Sequence, residues 1–269
     1  MLKRIRGPKA IAFIVVVAAV VVAAIVAVSR AQAPAGPPQP RIQVAVVQLK
    51  PDMMTTWEDL QKNEMIPAQK KAGLPWRHTI ANGASGQGFT RVTLVPLANY
   101  AQLDMPGFIQ RAVSAEANAN YNAKLRPTIE SQRTSIVTFQ LNDSIMSNAS
   151  AMQPLMVVQV FHTAPGKGAE FEASLKEDYL PAYKKAGVKD FWVYTTQQGD
   201  PGTILVRPIA KYADLDRPGL LAQAALTQEQ QDKIGARRNA TLGGPTTTTV
   251  GRFVPELSYG MPGQARATN

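Results

Sequence analysis

The stretch VPLANYAQLDMPG at residues 95–107 is answered by RPIAKYADLDRPG at 207–219, 112 residues later. IPAQKKAG (66–73) is answered by LPAYKKAG (180–187) at an offset of 114, VVQL (46–49) by VVQV (157–160) at 111, and Arg126 by Arg238 at 112. The order is kept and the offsets drift by only three residues. Such a period is too long for a solenoid and has the size of a whole small domain. The chain is therefore constrained to fold as two copies of one unit, and its 269 residues leave room for both.

Each copy spells the same succession of elements. Residues 42–50 and 155–163 are rich in valine, as strands are. Residues 53–72 and 167–186 carry helical spacing, with Trp57, Leu60, Met65 and Ile66 in one copy and Phe171, Leu175, Tyr179 and Leu180 in the other. Both runs end in Lys-Lys-Ala-Gly, which places cations on the negative helix end and a glycine where the chain must turn left-handed. Pro67 and Pro181 predict a kink or restart at the same point in each. Two strands follow (76–82 with 89–96, and 190–197 with 202–209), joined by NGASGQG and QQGDPG. A helical segment then runs to about 130 and 240, and last strands fall near 134–141 and 246–254.

The fold class is α+β, with the order β-α-β-β-α-β written twice, the ferredoxin-like arrangement. One unit covers a single sheet face with helices, so two units in one chain can cover each other. The Pro…Lys-Lys-Ala-Gly helix ending and the Tyr-Ala-x-Leu-Asp-x-Pro-Gly turn, in this order of elements over about residues 42–257, resemble the dimeric α+β-barrel superfamily in fused form. That superfamily includes NIPSNAP-like, EthD-like and antibiotic-biosynthesis-monooxygenase-type domains and haem-binding chlorite-dismutase relatives. The resemblance implies one intramolecular barrel, with a first repeat at 42–142, a linker at 143–154, a second repeat at 155–258 and a disordered tail at 259–269. It names no reaction.

Residues before the repeats concern location. Lys3, Arg4, Arg6 and Lys9 precede AIAFIVVVAAVVVAAIVAV, residues 10–28, with no polar side chain. As a helix this run is about 28 Å long, close to a bilayer core of about 30 Å. Cations on the near side predict a cytoplasmic N-terminus and export of the rest. Residues 1–29 read as a signal peptide or signal anchor. The run exceeds an ordinary secretory core, whereas AQA at 31–33 resembles a cleavage motif with Pro34 against it. Residues 30–41 form a tether with APAGPPQP at its centre, too proline-rich for a helix. The expected partners are thus a membrane, through this helix, and a small-molecule ligand.

Of the net charge of +10, the first 33 residues supply half, and the remainder has no basic run. Nucleic-acid binding is not expected. The absence of cysteine excludes disulfides, thiolate metal sites and cysteine nucleophiles. Two isolated histidines, His78 and His162, do not make a zinc site, and no Gly-x-Ser-x-Gly elbow occurs. No metal or cofactor is expected. GASGQG joins two strands and opens no helix, so it reads as a hairpin turn rather than a phosphate loop. Asp104 and Asp216 read as helix caps, and Tyr100 and Tyr212 as packing anchors. NDS (142–144), NAS (148–150) and NAT (239–241) match glycosylation acceptors, which matters only in a eukaryotic secretory route.

If the two sheets face one another, the space between them is the default ligand site. Alternation puts Val92, Leu94, Ile204 and Val206 on the helix-packed face and turns Arg91 and Arg207 toward the barrel interior. Gln48 and Gln159 read as equivalent polar residues of the two first strands. His78, Trp192 and Tyr194 complete the candidate lining, and a one-residue slip would exchange the faces. The alternatives to a binding protein are a cofactor-independent monooxygenase-like enzyme acting on a small aromatic substrate, and a structural or oligomerisation module of the cell envelope.

Overall fold

The computed structural model describes residues 39–83, 85–147 and 152–260. The first half contains β1 (Arg41–Leu49), α1 (Met54–Leu60), α2 (Ile66–Lys71), β2 (His78–Asn82), β3 (Thr90–Leu97), α3 (Phe108–Ala112), α4 (Ala115–Leu125) and β4 (Ile129–Phe139). The second contains β5 (Leu155–Phe161), α5 (Gly168–Ser174), α6 (Leu180–Lys185), β6 (Trp192–Gln198), β7 (Thr203–Ile209), α7 (Leu220–Gln223), α8 (Gln228–Asn239) and β8 (Thr247–Phe253). The eight strands close into a barrel in the order β1-β3-β2-β8-β5-β7-β6-β4.

The two halves meet at two seams, both antiparallel. β2 joins β8 through Ile80↔Phe253, and β4 joins β6 through Phe139↔Tyr194. Past each seam the chain continues onto the other half. Tyr259 exchanges backbone hydrogen bonds with Arg77, and Ile145 does the same with Phe191. Tyr259 and Gly260, expected to begin a loose tail, are therefore hydrogen-bonded to the first half. At the first seam the backbones approach so closely that a Cβ at Gly251 would overlap Ile80.

Proline and glycine act where the sequence puts them. Pro67 and Pro181 have no N–H to give, and just before each the helix widens into one π turn, Gln61–Met65 and Leu175–Tyr179. Both helices then end at a left-handed glycine, Gly73 and Gly187, each at φ +76°. Leu74 N–H reaches Gln69 O and Val188 N–H reaches Tyr183 O, completing the same glycine cap in each copy. The expected caps at Asp104 and Asp216 do not form. α3 and α7 open on Gly107 and Gly219 without a side-chain cap, and both aspartates are exposed. Tyr212 packs against the Leu155, Val157, Ile209 and Val250 cluster, whereas Tyr100 stays 39 % exposed beneath the Arg41 guanidinium.

Register corrects two readings of the sequence. Val95 pairs with Gln43 and its counterpart Arg207 pairs with Val157, so the first strands correspond at an offset of 114, not 111. Gln159 is thus the counterpart of Ala45, and Gln48 and Gln159 point to opposite faces. The same pairing reverses the expected faces of β3 and β7. Val92, Leu94, Ile204 and Val206 pack with Ile42, Ile80, Met156 and Trp192 in the barrel interior. Leu205 packs instead with Phe171, Leu175 and Leu180 under the helices, and Arg91 reaches Glu58 on α1. Both faces of each sheet are apolar, one against helices and one against the opposite sheet. Alternation therefore says which residues share a face without saying which face it is.

Residues 1–38, which hold the expected membrane segment and most of the tether, lie outside the described residues, as do 261–269 and the sequon at 148–150. Among the described residues no helix is long and apolar enough to cross a membrane.

Candidate functional site

The predicted site residues separate into three places. His78, Trp192 and Tyr194 lie in the barrel interior. The His78 ring packs against Trp76 and Phe253, with centroids at 5.1 and 5.5 Å, and is 4 % exposed. Its Nε2 donates to Gly260 O at 3.1 Å, and burial lowers its pKa, so the ring is neutral. Tyr194 packs on Phe139 at 5.2 Å, and burial pushes its hydroxyl pKa up. The Trp192 indole N–H is buried and makes no hydrogen bond among the described residues.

Gln48 and Arg91 serve the first half locally. Gln48 donates to Gly88 O at 2.8 Å and accepts from the Thr90 hydroxyl at 2.6 Å, fixing the base of the β2–β3 hairpin. Arg91 holds Glu58 Oε1 through Nε at 2.9 Å and Nη2 at 2.6 Å. A guanidinium so satisfied is a clamp between sheet and helix.

Gln159 and Arg207 come together, but behind the second sheet rather than inside the barrel. A cavity of about 420 Å³, partly open to solvent, lies between β5, β7 and Phe191 just before β6 on one side and the helices α6, α7 and α8 on the other. Its floor is Val157, Gln159, Leu205 and Arg207. Tyr179, from the π turn, Tyr183 and Phe191 form one wall, and Arg238 of α8 closes another. The three aromatic rings run edge to face, Tyr179 to Tyr183 at 5.8 Å and Tyr183 to Phe191 at 5.0 Å. Arg238 lies 5.6 Å over Tyr179 and 5.5 Å over Phe161. Burial pushes the Tyr183 hydroxyl up to about 12, while both Arg238 and Arg207 act to lower it. Asp232, exposed at the rim, accepts from Gln228 Nε2 at 2.8 Å.

In the first half the same space is filled. Arg77, the counterpart of Phe191, is 2 % exposed and directs its donors to five neutral oxygens. Nη2 meets Gln61 Oε1 at 2.9 Å and Thr93 Oγ1 at 3.4 Å. Nη1 meets Gln69 Oε1 at 3.2 Å, and Nε meets Leu257 O at 3.2 Å and Thr79 Oγ1 at 3.4 Å. Burial lowers the Arg77 pKa to about 10. Tyr121 of α4, 2 % exposed, accepts from Gln61 and seals the cluster. Its counterpart in α8, counted from the equivalent N-caps Ser114 and Thr227, is Ile234, which is smaller, half-buried and packed against the second-half core. No residue of α8 is buried, so this helix spans an opening where α4 plugs one.

Tyr179, Tyr183, Phe191 and Arg238 were not among the predicted site residues. The signal for Tyr183 lay within the repeat itself, where LPAYKKAG replaces the Gln69 of IPAQKKAG. A second depression of about 490 Å³ at Asn142, Asp143, Lys176, Leu180, Pro181 and Lys184 carries a buried carboxylate already paired, Asp143 with Lys176 at 3.3 Å.

No family model matches the sequence, and no curated protein does. Solved structures do. A proposed monooxygenase from Lactobacillus acidophilus aligns with TM-score 0.52 and 10 % identity over 80 % of this chain and 94 % of that one. One from Fusobacterium nucleatum aligns with TM-score 0.52 and 12 % identity over 80 % and 93 %. An anthrone oxidase-like protein aligns with TM-score 0.51 and 12 % identity over 80 % and 92 %. At such identities the likeness is one of architecture: the chain has the dimeric α+β-barrel fold, with both halves of the barrel in a single polypeptide.

Proposed function

We propose that the protein binds a small organic molecule in the cavity between the second sheet and α6–α8. The observation that carries this reading is the asymmetry of the halves. The fold packs the equivalent space solid in the first half, with Arg77, Gln61, Gln69 and Tyr121. An opening of about 420 Å³ in the second half is therefore not a by-product of the architecture, and it falls within the range of small-molecule sites. Gly235, on the inner side of α8, lines it, and a Cβ added there meets no neighbouring atom within 4 Å. Gly235→Leu should fold, because it adds helix propensity, and should occupy the opening. Fragments that raise the melting temperature of the wild type should lose their effect on this variant. Fragments that stabilise both proteins equally would sink the reading.

A second reading is enzymatic. The proposed monooxygenases and the anthrone oxidase-like protein share the architecture, and an aromatic wall beside two cations suits an electron-rich aromatic substrate. Oxygen consumption that requires the aromatic ligand, and that Gly235→Leu abolishes, would favour it over binding alone.

The barrel, on this proposal, works outside the cytoplasm, tethered through residues 10–28. Four cations before nineteen apolar residues support this. A reporter enzyme fused after Gly260 that is active only in an exported position is the expected result. Activity confined to the cytoplasm would count against it.

A further inference from the structure

We infer that the cavity takes an aromatic acid, its carboxylate seated on Arg207 with Arg238 as the second cation. This rests on the small-molecule reading above and names its ligand class.

Arg207 is half-buried and makes no hydrogen bond or ion pair with any described residue. A guanidinium withdrawn from water calls for a charged or polar acceptor. The other buried arginines of the barrel find theirs, Arg91 in Glu58 and Arg77 in five oxygens. Two carboxylates lie in the neighbourhood of Arg207, and both are engaged elsewhere. Asp214 pairs with Arg217 at 3.3 Å and accepts from Ala210 and Lys211 N–H at 3.2 Å. Asp232 is exposed at the rim and held by Gln228. Arg238 spends its Nε and Nη2 on Asn239 Oδ1, at 3.2 and 2.9 Å, and keeps its charge over the Tyr179 ring. Arg207, Arg238 and Tyr183 all line the same cavity, and both guanidinium charges act to lower the Tyr183 hydroxyl pKa.

The rest of the lining suits the other end of such a ligand. Tyr179, Tyr183 and Phe191 present one continuous aromatic wall, with Val157 and Leu205 beneath it. The planar fork of arginine matches a carboxylate with two parallel hydrogen bonds. The internal repeat serves as a control. At the counterparts of Arg207, Gln159, Tyr179 and Tyr183 the first half carries Val95, Ala45, Met65 and Gln69, so the fold requires none of these side chains.

The test compares 2-naphthoate with the neutral 2-naphthamide by calorimetry on the full chain. The wild type should prefer naphthoate by about 10- to 100-fold, the range of a charge-assisted hydrogen-bonded pair. Arg207→Val installs the residue found at the counterpart position. It should bring naphthoate down to the level of naphthamide and leave naphthamide within about twofold. Should that variant misfold, Arg207→Gln gives the same reading. Equal affinity for the two probes in the wild type, or a preference that survives in both variants, overturns the inference. If the probes bind equally and Gly235→Leu abolishes both, the cavity stands and only the ligand class fails. If neither probe binds, or Gly235→Leu leaves both unaffected, the cavity reading falls and the inference with it.

Discussion

Arg77 and Phe191 hold the same place in the two halves, 114 residues apart, each backbone-paired to a segment delivered by the other half, Tyr259 for Arg77 and Ile145 for Phe191. Their side chains point under the helices in both cases. One fills that space with a charge and the other walls an opening.

The Arg77 cluster should be a main contributor to stability. Arg77→Met strips hydrogen bonds from the buried oxygens of Gln61, Gln69, Thr93 and Leu257 while removing a buried charge that no carboxylate balances among the described residues. Losses of about 1–3 kcal/mol for each buried group left unsatisfied outweigh the relief of charge burial. A net destabilisation of about 3 kcal/mol is expected in urea unfolding, with binding in the second half unchanged. A variant as stable as the wild type would show that the charge cost cancels the hydrogen bonds.

Burial of His78 predicts an acid limb in the stability curve. Its pKa in the fold lies below the ordinary histidine value of 6.5, so between the two the unfolded chain binds more protons. Stability from this residue is complete above pH 6.5 and declines as pH falls from 6.5 toward the folded value. His78→Gln, which keeps a donor for Gly260 O, should flatten that part of the urea-midpoint profile relative to wild type. An unchanged slope just below pH 6.5 would contradict the assignment.

Glu58→Ala leaves Arg91 with its guanidinium against Met54 and without its carboxylate. Arg91 is nearly buried and Glu58 is about one-third exposed, so solvent screens part of the pair. A loss of about 1–2 kcal/mol is expected, larger than for a surface pair. Glu58→Gln, which keeps an acceptor, should recover part of it. Equal losses in the two variants would argue against a role for the charge.

Gly187→Ala isolates the backbone cost of the helix ending, since a methyl there meets nothing within 4 Å. The φ of +76° should make it destabilising by about 1 kcal/mol, and Gly73→Ala should cost the same. The two changes sit in separate copies, so their effects should add in the double variant. Strong coupling between them would mean that the helices communicate across the barrel.

Much of the architecture was legible because it was written twice. Lys-Lys-Ala-Gly, the two prolines and the order of elements each depend on local backbone chemistry, which acts within a few residues of itself. The site was less legible. His78 and Trp192 correspond as expected and lie inside the barrel, yet the cavity formed behind the sheet, at Arg207 and Gln159. The contrast between Val95 and Arg207 was visible in the repeat, but what Arg207 faces was not.

By itself the sequence determined two copies of one α+β unit and where each helix stops, because capping, φ preference and valine-rich strands are local properties. Only the tertiary structure decided which face of each strand meets the helices, since both faces are apolar and a shift of one residue exchanges them. It also decided that Arg77 closes one half while Arg207, Arg238 and three aromatic rings leave the other open. Whether a space is filled depends on side chains from strands, π turn and helices up to 81 residues apart in the chain, Val157 to Arg238.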